Sequence, residues 1–140
     1  MKVLLEKAIS IAVNAHKGQV DKGGNPYILH PLSVMMNVHT IEEKIVAVLH
    51  DLIEDTDWTF DRLRSEGFPE DIISGIDGVT RRENESRKDF IKRASENPLS
   101  KSVKREDLKQ NLDLTRIPCP TEEDFRRIKM YEKELIILKA

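Results

Sequence analysis

The sequence predicts an all-α protein. Apolar residues recur at intervals of three and four along most of the 140-residue chain, which is the period of an amphipathic helix, whereas the alternating pattern of a half-buried strand is nearly absent. Hydrophobic residues make up 39% and charged residues 34% of the chain, a balance that fits a globular protein built from such helices. A chain of this length has room for one core, so we predict a single domain over residues 1–140.

Eight helices follow from this spacing. The first covers residues 2–15, and a glycine-containing loop over 17–29 leads to a second helix over 31–38, because Pro31 is favourable in a first helical turn. The third is a central helix over 42–53. The remaining helices are predicted over residues 59–65, 69–79, 87–95, 99–112 and 121–139.

Local signals mark several helix ends. Thr59 is expected to cap the fourth helix, and Thr121 opens the last one with acidic residues in its first turn, where the helix dipole favours them. Gly75 and Gly78 allow the fifth helix to pack closely or to stop early. The polar segment 81–88 carries charges of both signs and is either a solvated loop or a basic rim for an anionic ligand.

The charge balance restricts the function classes. A net charge of −2 gives no overall attraction to nucleic acid or to an anionic membrane, and no apolar run is long enough to span a bilayer or form the core of a signal peptide. We therefore expect neither nucleic acid nor membrane as a partner, and an anionic substrate would need local cations or a metal ion. The single cysteine, Cys119, permits no intrachain disulfide and suits a reducing cytoplasm.

The most informative stretch covers residues 48–56, where four side chains that bind metals or transfer protons lie within six positions of an apolar helical run. On a continuous helix, His50 and Glu54 share one face, while Asp51 and Asp55 share the adjacent one. All four are therefore predicted to converge on one cleft. Burying lone acids is costly, so their place among apolar residues favours a functional role over a merely solvated one.

Other segments supply further candidates. His30 is fixed at the start of the second helix, and Asp107 and Asn111 share a helix face one turn apart. Lys17 and Lys22 flank a Gly-Gly pair that lets the backbone approach a phosphate closely, although such pairs also occur in plain turns. Two further histidines are expected to cap or pack helices, or to lie exposed, rather than to bind metal: His16 and His39.

The order of His30, His50-Asp51 and Asp107 resembles the H…HD…D pattern of the HD-domain superfamily of metal-dependent phosphohydrolases. A closer resemblance, over nearly the whole chain, is to the hydrolase domain of RelA/SpoT-type alarmone hydrolases, particularly their small single-domain members. It implies an HD-domain helical bundle. The segments that carry it are Ala15-His16-Lys17-Gly18-Gln19, residues 22–31, residues 49–56, Gly78-Val79-Thr80 and Val103-Lys104 with Asp107 and Asn111.

The resemblance also implies a role for each matching residue. The ligands of a divalent metal ion, usually manganese, would be His30, His50, Asp51 and Asp107. The catalytic pair, acting on water or substrate, would be Glu54 and Asp55. The substrate-binding residues would be Lys22, Lys104 and Asn111.

Three positions depart from the family pattern. Asp21 stands where the family usually carries an arginine that stacks on guanine, Arg105-Glu106 replace a Leu-Ala pair, and Gln110 replaces a histidine. The proposed metal ligands are unaffected by these changes. Recognition of the base, however, does not carry over.

Imidazole and carboxylate ligands together suit manganese, iron, cobalt or zinc better than magnesium or calcium. Four protein ligands leave positions for water and a phosphate oxygen only if the ion is five- or six-coordinate, which favours manganese or iron over structural zinc. Asp113 is the alternative fourth ligand if Asp107 does not bind.

We therefore predict a cytoplasmic, metal-dependent phosphohydrolase that acts on a small-molecule nucleotide. Removal of the 3′-diphosphate from guanosine-3′,5′-bis(diphosphate) is the favoured reaction. Two alternatives stay open: hydrolysis of another nucleotide phosphate, and a catalytically silent nucleotide-binding regulatory module. The Glu54-Asp55 pair argues against a silent module, whereas Asp21 keeps it open. The oligomeric state does not follow from the sequence.

Overall fold

A computed structural model describes residues 1–139, which contain nine α-helices, one short 3₁₀ helix and no strand. Across these residues, every helix is too short or too polar to span a lipid bilayer. The helices are α1 (Lys2–Ala15), α2 (Leu29–Met36), α3 (Ile41–Val48), α4 (Leu52–Asp55), α5 (Phe60–Ser65), α6 (Glu70–Gly78), α7 (Arg87–Ser95), α8 (Pro98–Asn111) and α9 (Glu122–Lys139), and the 3₁₀ helix is Leu114–Arg116.

The helix boundaries confirm most of the predictions. Helices α1 and α7 have the predicted limits, and five others differ from theirs by one or two residues. The side chain of Thr59 accepts a hydrogen bond from the backbone N–H of Arg62, 3.1 Å away, which confirms it as the cap of α5. Thr40 and Glu43 form a reciprocal capping box that starts α3.

The central helix predicted over residues 42–53 is wrong in one respect. Helix α3 ends at Val48, and a three-residue turn separates it from α4. In this turn, the backbone N–H groups of His50 and Leu52 bond carbonyls three residues earlier, at 3.3 and 3.1 Å, rather than four. The apolar pattern continues through the turn because Leu49 and Leu52 are both buried, so periodicity did not reveal the break. His50 therefore lies before α4 rather than one helical turn from Glu54, whereas Asp51 and Asp55 keep a helical bond, from the N–H of Asp55 to the carbonyl oxygen of Asp51 at 3.0 Å.

Helix α3 lies at the centre of the fold and contacts α1, α2, α6 and α8. Its residues 45–48 are buried, as expected for a helix covered on most sides. Gly75 and Gly78 confirm the predicted close packing of α6. A Cβ atom at Gly75 would lie 2.9 Å from Val46 Cγ2, and one at Gly78 would overlap Ser100 of α8. This packing fixes the helices that carry the candidate site.

Helix α9 forms a second layer on α7 and α8. A small apolar cluster joins the three helices and comprises Ile91, Leu108, Leu135 and Leu138. The guanidinium of Arg87 donates two hydrogen bonds to the buried carboxylate of Glu134, at 2.7 and 2.9 Å. This paired geometry is the strongest form of an arginine–carboxylate contact, and it fixes α9 against α7.

Candidate metal centre

Three buried side chains from separate parts of the chain meet at the candidate site. His30 comes from the first turn of α2, His50 from the turn after α3, and Asp107 from the middle of α8. One ligand atom of each lies within 4.8 Å of the other two, so the three can hold a metal ion. His30 Nε2 is 2.8 Å and His50 Nε2 is 3.4 Å from the same oxygen, Asp107 Oδ1.

The orientation of His50 is set by its own helix end. Its Nδ1 lies 2.6 Å from the carbonyl oxygen of Ala47, which only accepts hydrogen bonds, so Nδ1 carries the proton. Its Nε2 then faces Asp51 Oδ2 at 3.1 Å and has no hydrogen-bond partner among the described residues. A buried imidazole nitrogen held among carboxylate oxygens is a place where a bound cation could take over from a proton.

The charges of these groups depend strongly on one another. Burial opposes charge on the His50 imidazole, but the carboxylates of Asp51 and Asp107 outweigh it and raise the pKa of His50 well above its ordinary value. Burial also opposes charge on Asp107, yet Lys104 and the two histidines hold the pKa of Asp107 well below its ordinary value. Asp107 is therefore held in its ionised form between the two histidines.

Asp107 is fixed by two further contacts along α8. The ammonium group of Lys104 donates to Oδ2 at 2.9 Å, and the amide of Asn111 donates to Oδ1 at 3.1 Å. Lys104 is itself buried and lies 5.0 Å from the centre of the Phe90 ring. Two of the three predicted substrate-binding residues thus contact a predicted metal ligand.

Asp51, the fourth predicted ligand, lies beside this group but is not one of the three whose atoms meet within 4.8 Å. Its Oδ2 is close to His50 and accepts a hydrogen bond from the hydroxyl of Tyr27. Burial opposes ionisation, but His50 outweighs it and lowers the pKa of Asp51. The fallback ligand Asp113 is also outside the three-residue group, and its Oδ1 accepts from the backbone N–H and the hydroxyl of Thr115 at 2.9 and 2.6 Å.

The predicted catalytic pair lies on α4, outside the three-residue group. Glu54 accepts a hydrogen bond from the backbone N–H of Arg81. Glu54 and Asp55 are both exposed rather than buried. Partial desolvation is the main cause that raises the pKa of Glu54, helped by the charge of Asp51 and opposed by the bond from Arg81. Partial desolvation and the charge of Asp51 also raise the pKa of Asp55. Raised carboxylate pKa values suit proton transfer near neutral pH.

A cleft of about 320 Å³ adjoins this centre. Lys22 lies at its edge, where its ammonium group contacts Asp124 of α9 at 2.9 Å, and hydrogen bonds from Lys22 and Thr121 lower the pKa of Asp124 to about 2. Tyr27 and Asn111 border both the cleft and the candidate ligands. The full lining comprises Val20, Asp21, Lys22, Tyr27, Asn111, Asp113, Ile117, Asp124, Arg127, Ile128 and Tyr131.

Two features of this region were missed from the sequence. The contact between Tyr27 and Asp51 was missed, although Tyr27 lies in the Pro26-Tyr27 pair just before the predicted ligand His30. The wall that α9 contributes to the cleft was also missed, because residue types alone do not indicate a contact between residues 22 and 124.

The polar segment after α6 is held by ion pairs. Arg93 donates to Glu85 at 2.8 Å and to the carbonyl oxygens of Asp77 and Thr80, also at 2.8 Å. The hydrogen bonding between Arg93 and Glu85 is the first cause that lowers the pKa of Glu85 to about 2. Within the segment, Arg82 pairs with Asp77 at 2.8 Å and Arg87 pairs with Glu134 at 2.7 Å. Two of its cations are thus neutralised within the protein, which favours a structural role for the segment over a basic rim.

Comparison with known proteins places this geometry in context. A family model described as the HD domain matches residues 8–127. A guanosine-3′,5′-bis(diphosphate) 3′-pyrophosphohydrolase of Aquifex aeolicus is 37% identical over 55% of this chain and 12% of its own length. The corresponding protein of Haemophilus influenzae is 40% identical over 51% of this chain and 11% of its own length.

A longer match covers 76% of this chain at 33% identity and 12% of the other protein, a putative chloroplastic GTP diphosphokinase RSH1 of Arabidopsis thaliana. The chain thus spans only 11–12% of the length of these three curated relatives. A solved structure of a metazoan orthologue of SpoT, described as hydrolysing ppGpp, matches 96% of this chain and 84% of its own with a TM-score of 0.80 and 21% identity. That likeness shows the shared fold.

Proposed function

Because the chain belongs to the HD-domain family, whose model matches residues 8–127, we propose that it is a metal-dependent phosphohydrolase acting on a nucleotide. The favoured substrate is guanosine-3′,5′-bis(diphosphate), cleaved at its 3′-diphosphate. The names of the relatives in Aquifex aeolicus and Haemophilus influenzae support this reaction. We also propose that residues 1–140 form one catalytic domain.

The observation that carries the proposal is the buried group of His30, His50 and Asp107, in which His50 Nε2 has no hydrogen-bond partner among the described residues. We propose that these three and Asp51 bind one divalent metal ion. Imidazole and carboxylate donors favour manganese, with iron, cobalt or zinc as alternatives. When bound, such an ion lowers the pKa of a coordinated water and neutralises charge on a phosphoryl group.

The protein's own residues have distinct proposed roles around this centre. Glu54, with its raised pKa, would orient water and accept its proton, and Asp55 would assist from the same short helix. Lys104 and Asn111 hold Asp107 in place and would face the substrate. Lys22, half exposed at the cleft edge, would exchange its contact with Asp124 for a phosphate oxygen. The cleft volume of about 320 Å³ falls within the range of small-molecule sites.

One observation favours a second candidate, the hydrolysis of a different nucleotide phosphate at the same centre. The side chain of Asp21 accepts hydrogen bonds from the backbone N–H groups of Gly23 and Asn25, each at 2.9 Å. It therefore shapes the loop and offers no flat cation on which guanine could stack. Selection for guanine at this position is accordingly not expected.

The test is hydrolysis of a nucleotide panel by the metal-free protein resupplied with manganese, iron, cobalt or zinc, with the products identified. The panel pairs guanosine and adenosine 3′,5′-bis(diphosphates) with the ordinary triphosphates. We expect release of diphosphate from the 3′ position, with GDP as the guanosine product. The Asp51→Asn protein keeps the shape of the side chain but loses the carboxylate of a proposed ligand. It therefore serves as the control for hydrolysis that does not depend on the proposed centre. Failure of every metal and nucleotide combination in the native protein would leave the silent binding module as the better description.

A further inference from the structure

The segment Ala15-His16-Lys17-Gly18-Gln19 has no assigned role in the chemistry above, yet it surrounds the one tyrosine that contacts a predicted metal ligand. The ring of Tyr27 lies between two imidazoles, with centroids 5.3 Å from His16 and 6.1 Å from His30. Its hydroxyl donates to Asp51 Oδ2. Tyr27 therefore connects the end of α1 with the candidate metal centre.

The backbone and the ring of Tyr27 are both fixed by this segment. The N–H of Tyr27 donates to the carbonyl oxygen of Gln19 at 2.9 Å. The side chain of Gln19 joins two further groups, since its Oε1 lies 3.0 Å from His16 Nδ1 and its Nε2 donates to the carbonyl oxygen of Asp55 at 3.3 Å. Because an amide oxygen only accepts, His16 Nδ1 carries the proton, and the buried imidazole is held in one orientation beside Tyr27.

A ligand carboxylate needs such a partner. Asp51 lies in a turn rather than on a helix, and its carboxylate is the one predicted ligand outside the group that meets within 4.8 Å. A hydrogen bond to Asp51 Oδ2, the oxygen that also faces His50, restricts rotation of the group and leaves this oxygen a second lone pair with which to bind. Groups that orient metal ligands in this way typically change metal affinity or activity by about 10- to 100-fold when they are removed.

We propose that Tyr27 is a positioning residue that orients Asp51 toward the metal ion, and that His16 and Gln19 hold Tyr27 in place. The inference rests on the metal site of the proposed function. It assigns to the Ala15–Gln19 segment a role in metal binding without making His16 a ligand. It also explains why a half-buried tyrosine at the cleft wall donates its hydroxyl toward the centre rather than toward solvent.

The test compares Tyr27→Phe with the native protein by metal titration, using Mn²⁺ against a competing chelator and the visible spectrum of bound Co²⁺. The substitution keeps the ring and removes only the hydroxyl. We expect affinity to fall by about 10- to 100-fold and the Co²⁺ spectrum to change, while the melting temperature of the metal-free protein stays close to native. Tyr131→Phe is the matched control, because it removes the only other tyrosine hydroxyl, also at the cleft, and is expected to leave metal affinity unchanged.

The outcomes separate this inference from the proposed function. A native protein that binds no divalent ion would reject the metal site itself. Native metal binding with an unchanged affinity and spectrum in Tyr27→Phe would reject only the positioning role. A double-mutant cycle with Gln19→Leu tests the supporting contacts. Alone, Gln19→Leu is expected to lower the metal affinity less than Tyr27→Phe does, and added to Tyr27→Phe it is expected to lower the affinity no further. Additive losses would show that Gln19 does not act through Tyr27.

Discussion

His50 illustrates how one side chain derives its chemistry from a helix end. The carbonyl oxygen of Ala47, in the last turn of α3, accepts from the backbone N–H of His50 at 3.3 Å and from His50 Nδ1 at 2.6 Å. The second bond orients the imidazole so that Nε2 faces Asp51 and Asp107. The site therefore depends on the end of α3, and a helix continuing to residue 53 would not place the imidazole in this way.

Glu54 is predicted to act on water without binding the metal ion. In Glu54→Gln, the amide oxygen can still accept the hydrogen bond from the backbone N–H of Arg81, so the neighbouring segment is expected to stay in place. Loss of a general base typically lowers turnover by about 10²- to 10⁴-fold, while metal affinity stays native. Steady-state kinetics and a metal titration on the same preparation measure both quantities. Glu83→Gln, an exposed change of the same chemistry, is the control. Full turnover in both Glu54→Gln and Asp55→Asn would remove the pair from the mechanism.

Asp21 is predicted to weaken the discrimination between bases. The quantity to compare is kcat/KM for guanosine relative to adenosine 3′,5′-bis(diphosphate), in the native protein, in Asp21→Arg and in Asp21→Asn. Asp21→Asn removes the negative charge but keeps an oxygen that can accept from the N–H groups of Gly23 and Asn25. It therefore separates the effect of the charge from that of the loop structure. We expect a small native ratio, little change with Asn, and a rise of about two- to thirtyfold with Arg, which corresponds to about 0.5–2 kcal/mol of cation–π stacking. A large native preference for guanosine that Arg leaves unchanged would place base selection elsewhere.

At the scale of helices, the contact between α6 and α8 is set by residue size. Gly78→Ala would place a methyl group onto Ser100, whose hydroxyl donates to the carbonyl oxygen of Gly75 at 2.7 Å. Overpacking of this kind typically costs about 1–3 kcal/mol, more than the roughly 1 kcal/mol that alanine gains in helix propensity. We therefore expect a lower free energy of unfolding in urea. Ser74→Ala, on the exposed face of α6, should change it by less than about 0.5 kcal/mol. If Gly78→Ala is as stable as native, the two helices have room to move apart.

Sequence patterns located most helices but not the turn that forms the centre. The limits of α1 and α7 were predicted from apolar spacing, and in the structure Ser86 caps α7, since its hydroxyl accepts from the backbone N–H of Asp89 at 3.1 Å. The turn at residues 49–51 was missed because Leu49 within it and Leu52 after it are both buried and so keep the helical period. Long-range contacts such as Lys22–Asp124 were missed for a different reason, since no local pattern encodes them.

Across the whole molecule, the candidate ligands come from α2, the turn after α3, and α8, so a bound ion would link parts of the fold that are distant in sequence. The resemblance to the H…HD…D pattern predicted His30, His50, Asp51 and Asp107 as a set, and the fold brings the first, second and fourth of them together. Their role as ligands stays a prediction. Folding of α1, α2, α6 and α8 around α3 is what converts a dispersed motif into one buried group.

This arrangement predicts that metal binding stabilises the entire fold. A ligand that binds only the folded state, present at one hundred times its dissociation constant, adds about 2.7 kcal/mol to the free energy of unfolding. For a chain of this size, that corresponds to a rise in melting temperature of roughly 10 °C. Thermal unfolding followed by circular dichroism, with Mn²⁺ and then with excess chelator, measures the rise and its reversal. Asp51→Ala should fold without metal and show no rise, since it lacks a proposed ligand. Asp61→Ala, which removes a carboxylate on α5 that is 93% exposed, should keep the full rise. An equal rise in the Asp51→Ala protein would show that the ion stabilises the fold without Asp51 as a ligand.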